Sequence, residues 1–255
     1  MWEGDLGRSA AYPDDDLARY VGRRPAKRAS ASAWSLRITT TCLMIAALMV
    51  LADLVLGWTR GIGDVDGRAT DPTPIPLFIG SQRLTVPSNM FRFENQRNVG
   101  PHEHVELAVH WPTLQGYTAD TRDAFLDGSA DAPILFVTIK RRDTASDSAG
   151  RLANVYRHFF EEGELDAPQG LIGHVLNAES GLGGEEVYFE AGSTDPFTTH
   201  CLAPDGSGYP APCLTEIHAG EGLSVQVRFR KGLLPEWAAI KQGTRALLLS
   251  FGIAP

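Results

Sequence analysis

Pro101-His102-Glu103-His104 is the one place in this chain where side chains suited to metal chemistry crowd together. On a strand, His102 and His104 would share a face at roughly 6 to 7 Å, near enough to supply two legs of a chelate. A zinc site needs three or four ligands at recognisable spacing, and neither HExxH nor CxxC accompanies the pair. The pair alone is an incomplete metal site, and a solvated loop is the plainer expectation. Nucleophilic chemistry has less to stand on. Gly206-Ser207-Gly208 and Ser180-Gly181 lack the G-x-S-x-G frame of a nucleophile elbow. Glu161, Glu162 and Glu164 could act as paired acid and base on a sugar, but a run of acids after an aromatic stretch reads first as a solvated helix end. No catalytic residue is assigned, and no motif calls for a cofactor.

Two aromatic positions could offer a binding surface. Core packing is the default for the aromatics; Trp111-Pro112 and Gly116-Tyr117 close a strand, so Trp111 and Tyr117 are the candidates for an exposed ligand surface. Cys201 and Cys213 flank the turn-rich LAPDGSGYPAP, with strand-like sequence on both sides. That context predicts a disulfide closing a hairpin, and such a bond persists only in an oxidising compartment.

The element that decides the compartment lies earlier. WSLRITTTCLMIAALMVLADLVLGW, residues 34–58, is predicted to be a transmembrane helix. Residues 38–58 match the ~20 needed to cross a bilayer core, and Trp34 and Trp58 bracket the segment where amphipathic rings settle. Asp53 opposes insertion by roughly 2.5 to 3.5 kcal/mol. The nine Leu, Ile and Val residues between Ile38 and Leu56 return about 3 to 5 kcal/mol, so insertion wins. Asp53 then either reaches the outer headgroups, about 7 to 8 Å of helix rise from Trp58, or meets a polar group on a partner helix. A cleaved signal has a far shorter leading segment than the more than 30 residues here, and a shorter apolar core. Residues 1–37 carry seven basic and five acidic groups, net +2, so the positive-inside bias puts the N-terminus in the cytoplasm. Residues 59–255 carry sixteen basic and twenty-five acidic groups, net −9. An acidic body of this kind lacks the footprint that nucleic acid requires.

The organisation follows: a disordered tail over 1–33, the anchor over 34–58, a Pro/Gly-rich linker over 59–76, and one folded domain over 77–255. In that domain PLFIG, QRLTV, NMFRF, HVELAVHW, PILFVTIK, GLIGHVLNA, EEVYFEAG, CLTEIHA and GLSVQVRFR read as strands. Leu152, Val155, Tyr156, Phe159 and Phe160 predict a helix over 151–162. A second helix is predicted from about Pro235, with Trp237, Ile240, Thr244, Leu247, Leu248 and Phe251 following the 3.6 period and Gly243 weakening its middle. The fold class is α+β: a single transmembrane helix, then one antiparallel-sheet-rich domain with two helices.

WPTLQGY, RLANVYRHFF, the Cys201 and Cys213 pair, and GLSVQVRF followed by LLPEW resemble single-span bacterial inner-membrane proteins with a periplasmic domain, a group with no characterised activity. The resemblance covers about residues 77–255 and implies inner-membrane placement only. The function expected is a non-catalytic, membrane-anchored periplasmic accessory or scaffold protein, partnered by another membrane or periplasmic protein. A periplasmic ligand- or metal-binding sensor module and a cell-envelope hydrolase are the alternatives.

Overall fold

The computed structural model describes residues 31–61, 67–202 and 210–254. The tail expected ahead of residue 31 and the Gly206-Ser207-Gly208 turn lie outside them. The chain divides into two compact units, residues 1–60 and 61–255.

In the first unit, Ala31–Gly61 forms one α-helix, α1. The Thr40 and Thr41 hydroxyls donate back to the Arg37 carbonyl at 3.0 and 2.8 Å, which satisfies them without solvent. Nine large apolar side chains between Trp34 and Leu51 are exposed. Side chains are described continuously over residues 37–52, short of the ~20 residues a bilayer core needs. Among the described residues, no helix is long and apolar enough to cross a membrane. The segment expected as an anchor is thus a helix, but it is not shown to be a span. The side chain of Asp53 lies outside those described.

The second unit is α+β. Strands β1 (Pro74–Ile79) and β2 (Gln82–Pro87) form an antiparallel hairpin, and β3 (Gly100–His102) adds to β1 in parallel. The larger sheet has seven strands in the order β4-β5-β10-β9-β8-β7-β6, every neighbour antiparallel. Its strands are β4 (His104–His110), β5 (Ile134–Arg141), β6 (Leu171–Val175), β7 (Glu186–Glu190), β8 (Thr198–Cys201), β9 (Pro212–Ala219) and β10 (Leu223–Arg230). Alternate side chains point to opposite faces of a strand. Val105, Leu107 and Val109 of β4 therefore join Val137 and Ile139 of β5 and Val225, Val227 and Phe229 of β10 in one apolar layer. The C-terminal helix α4 (Trp237–Ser250) closes that layer with Ile240, Leu247 and Leu248, and the small sheet adds Leu77, Ile79, Leu84 and Val86. Hydrogen bonds from Thr85 N–H to Phe251 O (3.1 Å) and from Gly220 N–H to Ala254 O (2.8 Å) tie down the last residues.

Gly243 is explained by this packing. A Cβ there would come within 3.1 Å of the Trp111 ring and 3.3 Å of Leu114. The loss of helix propensity at a glycine is the cost of seating an indole against α4.

The helix expected over 151–162 is cut short. α3 runs Ser148–Asn154, its first turn capped by the Asp147 carboxylate, which accepts from Gly150 N–H at 2.9 Å. Val155 leaves helical geometry at φ −130°, ψ −67°, and a single 3-10 turn, Tyr156–His158, follows. Leu152 and Tyr156 are buried, whereas Val155 is 40% exposed. The break lets Tyr156, Phe159 and Phe160 settle on Val187 and Phe189, forming a second, smaller core on the far face of the sheet. NMFRF is not a strand either. Ser88–Met90 is a 3-10 turn, and Phe91 makes one bridge to Leu107. A five-residue helix, α2 (Arg122–Leu126), brings the α-helices of this unit among the described residues to three, not the two expected.

Cys201 and Cys213 are directly opposed on β8 and β9 and form a disulfide. Closing a loop with a sequence separation of 12 constrains the unfolded chain by roughly 3 kcal/mol. Replacing both cysteines by alanine should lower the unfolding free energy by about that amount, read as a lower urea midpoint with a slightly steeper slope, because the freed unfolded chain exposes more surface.

Candidate functional site

Strand β8 is short, and the site begins where it stops. β8 and β9 pair only at His200 with Leu214 and at Cys201 with Cys213. In that register Thr198 would oppose Glu216, but the strands part and α3 enters instead. The Glu216 backbone N–H donates to the Ser148 hydroxyl at 2.9 Å, taking the partner a neighbouring strand would have supplied.

The Glu216 side chain is 3% exposed. One carboxylate oxygen accepts from Arg151 Nη2 at 2.8 Å and from Gln226 Nε2 at 3.4 Å; the other accepts from the hydroxyls of Ser224 and Thr144. Arg151 is fixed in turn by a 3.1 Å hydrogen bond to the Ser146 carbonyl. Burial pushes the Glu216 carboxyl upward, but the Ser224 hydrogen bond and the Arg151 guanidinium outweigh it and hold the group below the ordinary carboxylate range. This cluster is a satisfied buried ion pair joining α3 to the centre of the sheet.

Next to it lies a pair that is not satisfied. His200 Nε2 is 4.0 Å from a Glu185 carboxylate oxygen, too far for a hydrogen bond. That oxygen and His200 Nδ1 are both buried without partners among the described residues. Burial, reinforced by the positive Arg151, pushes the His200 pKa down, and burial pushes the Glu185 carboxyl up. His200 is therefore neutral at pH 7.

The remainder of this sheet face is open. Ala108, Phe136, Arg228 and Leu214 form one cross-strand row on β4, β5, β10 and β9. Glu106, Thr138 and Gln226 stand beside it in the next row toward Glu216. Phe136, Thr138, Gln226 and Arg228 are half-buried.

The residues singled out in the sequence are dispersed. His102 ends β3 in the small sheet, with Nε2 at 3.0 Å from the Asn98 carbonyl; His104 begins β4 in the large sheet and is exposed. The chain bends at Glu103, so the two imidazoles do not share one continuous strand as the chelate requires. Among the described residues, no group of three or more His, Cys, Asp or Glu side chains is placed to hold a metal ion. Trp111 and Tyr117 are each 4% exposed, which corrects their expected place on a binding surface. Trp111 donates its indole N–H to Glu236 at 2.8 Å, and Tyr117 meets Phe125 edge to face at 5.4 Å. Both rings are core, and the polar tip of Trp111 is satisfied there by Glu236. Sequence reading missed Glu216 and Arg151 altogether. The available signal was an acid at an alternating position of a strand, indistinguishable from a solvent-facing one.

The acid limb of stability should report these groups. A carboxyl with a lowered folded pKa contributes stability that is complete above its unfolded value, 4.5, and is lost as pH falls through the folded value. His200, also lowered, contributes above 6.5 and loses that contribution on acidification. Glu185 acts in the opposite sense, its contribution fading as pH rises. Urea titrations should show wild-type stability falling in two stages, below about pH 6.5 and again below about pH 4.5. His200→Gln should remove the upper stage, and Glu216→Gln should shrink the lower one, to which Asp143 and Glu190, also held below the ordinary range by Lys140 and Lys241, still contribute. Arg151→Leu, which strands a buried carboxylate, should cost about 2 kcal/mol or more at pH 7.

No protein-family model matches the chain, and no curated protein matches it. Two solved structures are similar to it. One is an immunity protein of the Stenotrophomonas maltophilia type IV secretion system, 16% identical, covering 73% of this chain and 96% of its own, with a TM-score of 0.48. The other is the Neisseria meningitidis iron-regulated outer membrane lipoprotein FrpD, 12% identical, covering 72% of this chain and 96% of its own, with a TM-score of 0.46. At these scores neither likeness carries an argument about what this chain does.

Proposed function

We propose that this chain is a membrane-anchored accessory or scaffold protein of the bacterial envelope, and that its sheet domain binds another membrane or periplasmic protein. The observation that carries the reading is the large sheet itself. α4 covers one face, α3 and the following turn cover part of the other, and the row through Phe136 and Arg228 is left without a covering element among the described residues. An open, half-buried face is suited to a protein partner rather than to an enclosed small molecule.

The placement in the inner membrane rests on separate support. α1 exposes nine large apolar side chains, each worth roughly 1.5 to 3 kcal/mol when removed from water. The apolar run of the sequence continues past the described side chains to Trp58. In this reading residues 34–58 span the inner membrane once, the basic N-terminal segment is cytoplasmic, and the disulfide-bearing domain is periplasmic. Asp53 then contacts a polar group of the partner within or at the edge of the membrane.

Affinity purification of the tagged full-length protein from native membranes, after crosslinking, tests this. A stoichiometric envelope protein should be retained, and Asp53→Leu should reduce its recovery several-fold. A chain that emerges alone after crosslinking would overturn the accessory reading. Unchanged recovery with Asp53→Leu would remove Asp53 from it.

A further inference from the structure

The uncovered half of the sheet is charged, and its sign is opposite to that of the domain around it. Phe136 lies under two guanidinium groups: Arg228 is 5.2 Å from the ring centroid and Arg92 is 5.3 Å from it. Arg230, on the same face of β10, donates from Nη1 to the Pro210 carbonyl at 2.8 Å. Among the described residues one carboxylate is present, Glu106, and Arg92 Nη1 holds it at 3.1 Å. Among the described residues Arg228 has no hydrogen bond and no ion pair, so its five N–H donors have only the ring face and solvent. Burial, then the neighbouring Arg92, pushes the Arg228 pKa down, so positive charge is held here against its own electrostatic preference. Three guanidinium groups against one carboxylate leave a net positive surface on a segment, residues 59–255, whose sequence nets −9.

The surface is also apolar. Phe93 is 41% exposed and lies 5.0 Å from the Arg92 guanidinium. Pro210 and Pro212 border the same open depression of about 290 Å³. A phosphate or lipid headgroup would engage the guanidinium groups and leave the ring and prolines unused. A polypeptide carrying carboxylates between apolar side chains matches both, since planar guanidinium groups stacked on an aromatic keep their N–H edges free for bidentate carboxylate bonds.

We infer that the Arg92, Phe136, Arg228 and Arg230 surface docks an acidic, carboxylate-bearing segment of a partner protein. The inference rests on the accessory-protein reading above and names the chemistry of its partner. Glu106 is the internal competitor: it occupies part of the Arg92 donor set until a ligand carboxylate arrives.

The test is fluorescence anisotropy with the full-length protein in non-ionic detergent micelles, empty micelles serving as the blank. The probe is a labelled peptide of five Glu alternating with Ala around one central Tyr, with a Gln-for-Glu twin. The acidic peptide should bind at least tenfold more tightly than its twin, and more weakly as salt rises from 50 to 300 mM. Arg228→Gln, which breaks no hydrogen bond of the described fold, should weaken binding at least fivefold at unchanged urea midpoint. Glu106→Gln should strengthen it two- to threefold, an effect that a purely structural role would not produce. Equal binding of the twin, or no effect of Arg228→Gln, overturns the inference. So does comparable binding of phosphatidylglycerol vesicles or competition by millimolar inorganic phosphate, which would assign the surface to a phosphate-type anion. The two readings fail separately. A partner retained from membranes by Arg228→Gln as well as by wild type sinks the docking surface alone, whereas a chain that purifies without any partner sinks the accessory reading.

Discussion

The register of β10 between β5 and β9 is the constraint on which the rest of the domain depends. Val225, Val227 and Phe229 face the helix layer because Ser224, Gln226, Arg228 and Arg230 face away. A slip of one residue would turn every side chain to the wrong face, burying two arginines under α4 and exposing the apolar row. The same register sets Gln226 opposite Glu216 and Arg228 opposite both Phe136 and Leu214. The core, the buried ion pair and the arginine surface are consequences of one alternation read on its two sides.

Glu216 shows what happens where that alternation puts a charge under cover. An unpaired buried carboxylate would cost several kcal/mol, and here all its oxygens are engaged by Arg151, Ser224, Gln226 and Thr144. The pair contributes little net energy by comparison with an apolar replacement, but it dictates position. α3 can dock in only one place, the notch where β8 leaves β9, with Ser148 meeting the Glu216 N–H and Arg151 its side chain. His200 and Glu185, just beyond, lack that completion, and the contrast marks the edge of the satisfied network.

Several elements were legible because local pattern and tertiary demand agreed. HVELAVHW and GLSVQVRFR alternate in sequence and form β4 and β10; α4 has Ile240, Thr244, Leu247 and Leu248 on the buried face its period implied. The two cysteines are opposed across a hairpin, as the turn-rich insert between strands required. The helix over 151–162 failed because its aromatic residues pack better on β6 and β7 from a broken helix than from a straight one. Trp111 and Tyr117 failed because a turn can fold inward, and no one-dimensional pattern says on which side of a turn the bulk of the protein lies.

What the sequence determined by itself was periodic or contiguous: most of the strands, though not the short β3 and β8, the C-terminal helix, the apolar run ahead of the domain, the cysteine pair and the α+β class. Periodicity is a short-range property, and neighbours in the chain suffice to express it. Tertiary structure alone decided which residues act together. Arg92, Glu106, Phe136 and Arg228 come from four separate segments, and Arg151 meets Glu216 across 65 positions of chain. Their meeting depends on strand order and register, which follow from how the whole apolar surface is buried at once. Charge in the sequence is a sum over residues. The sign of a surface is set by which of them the fold brings together.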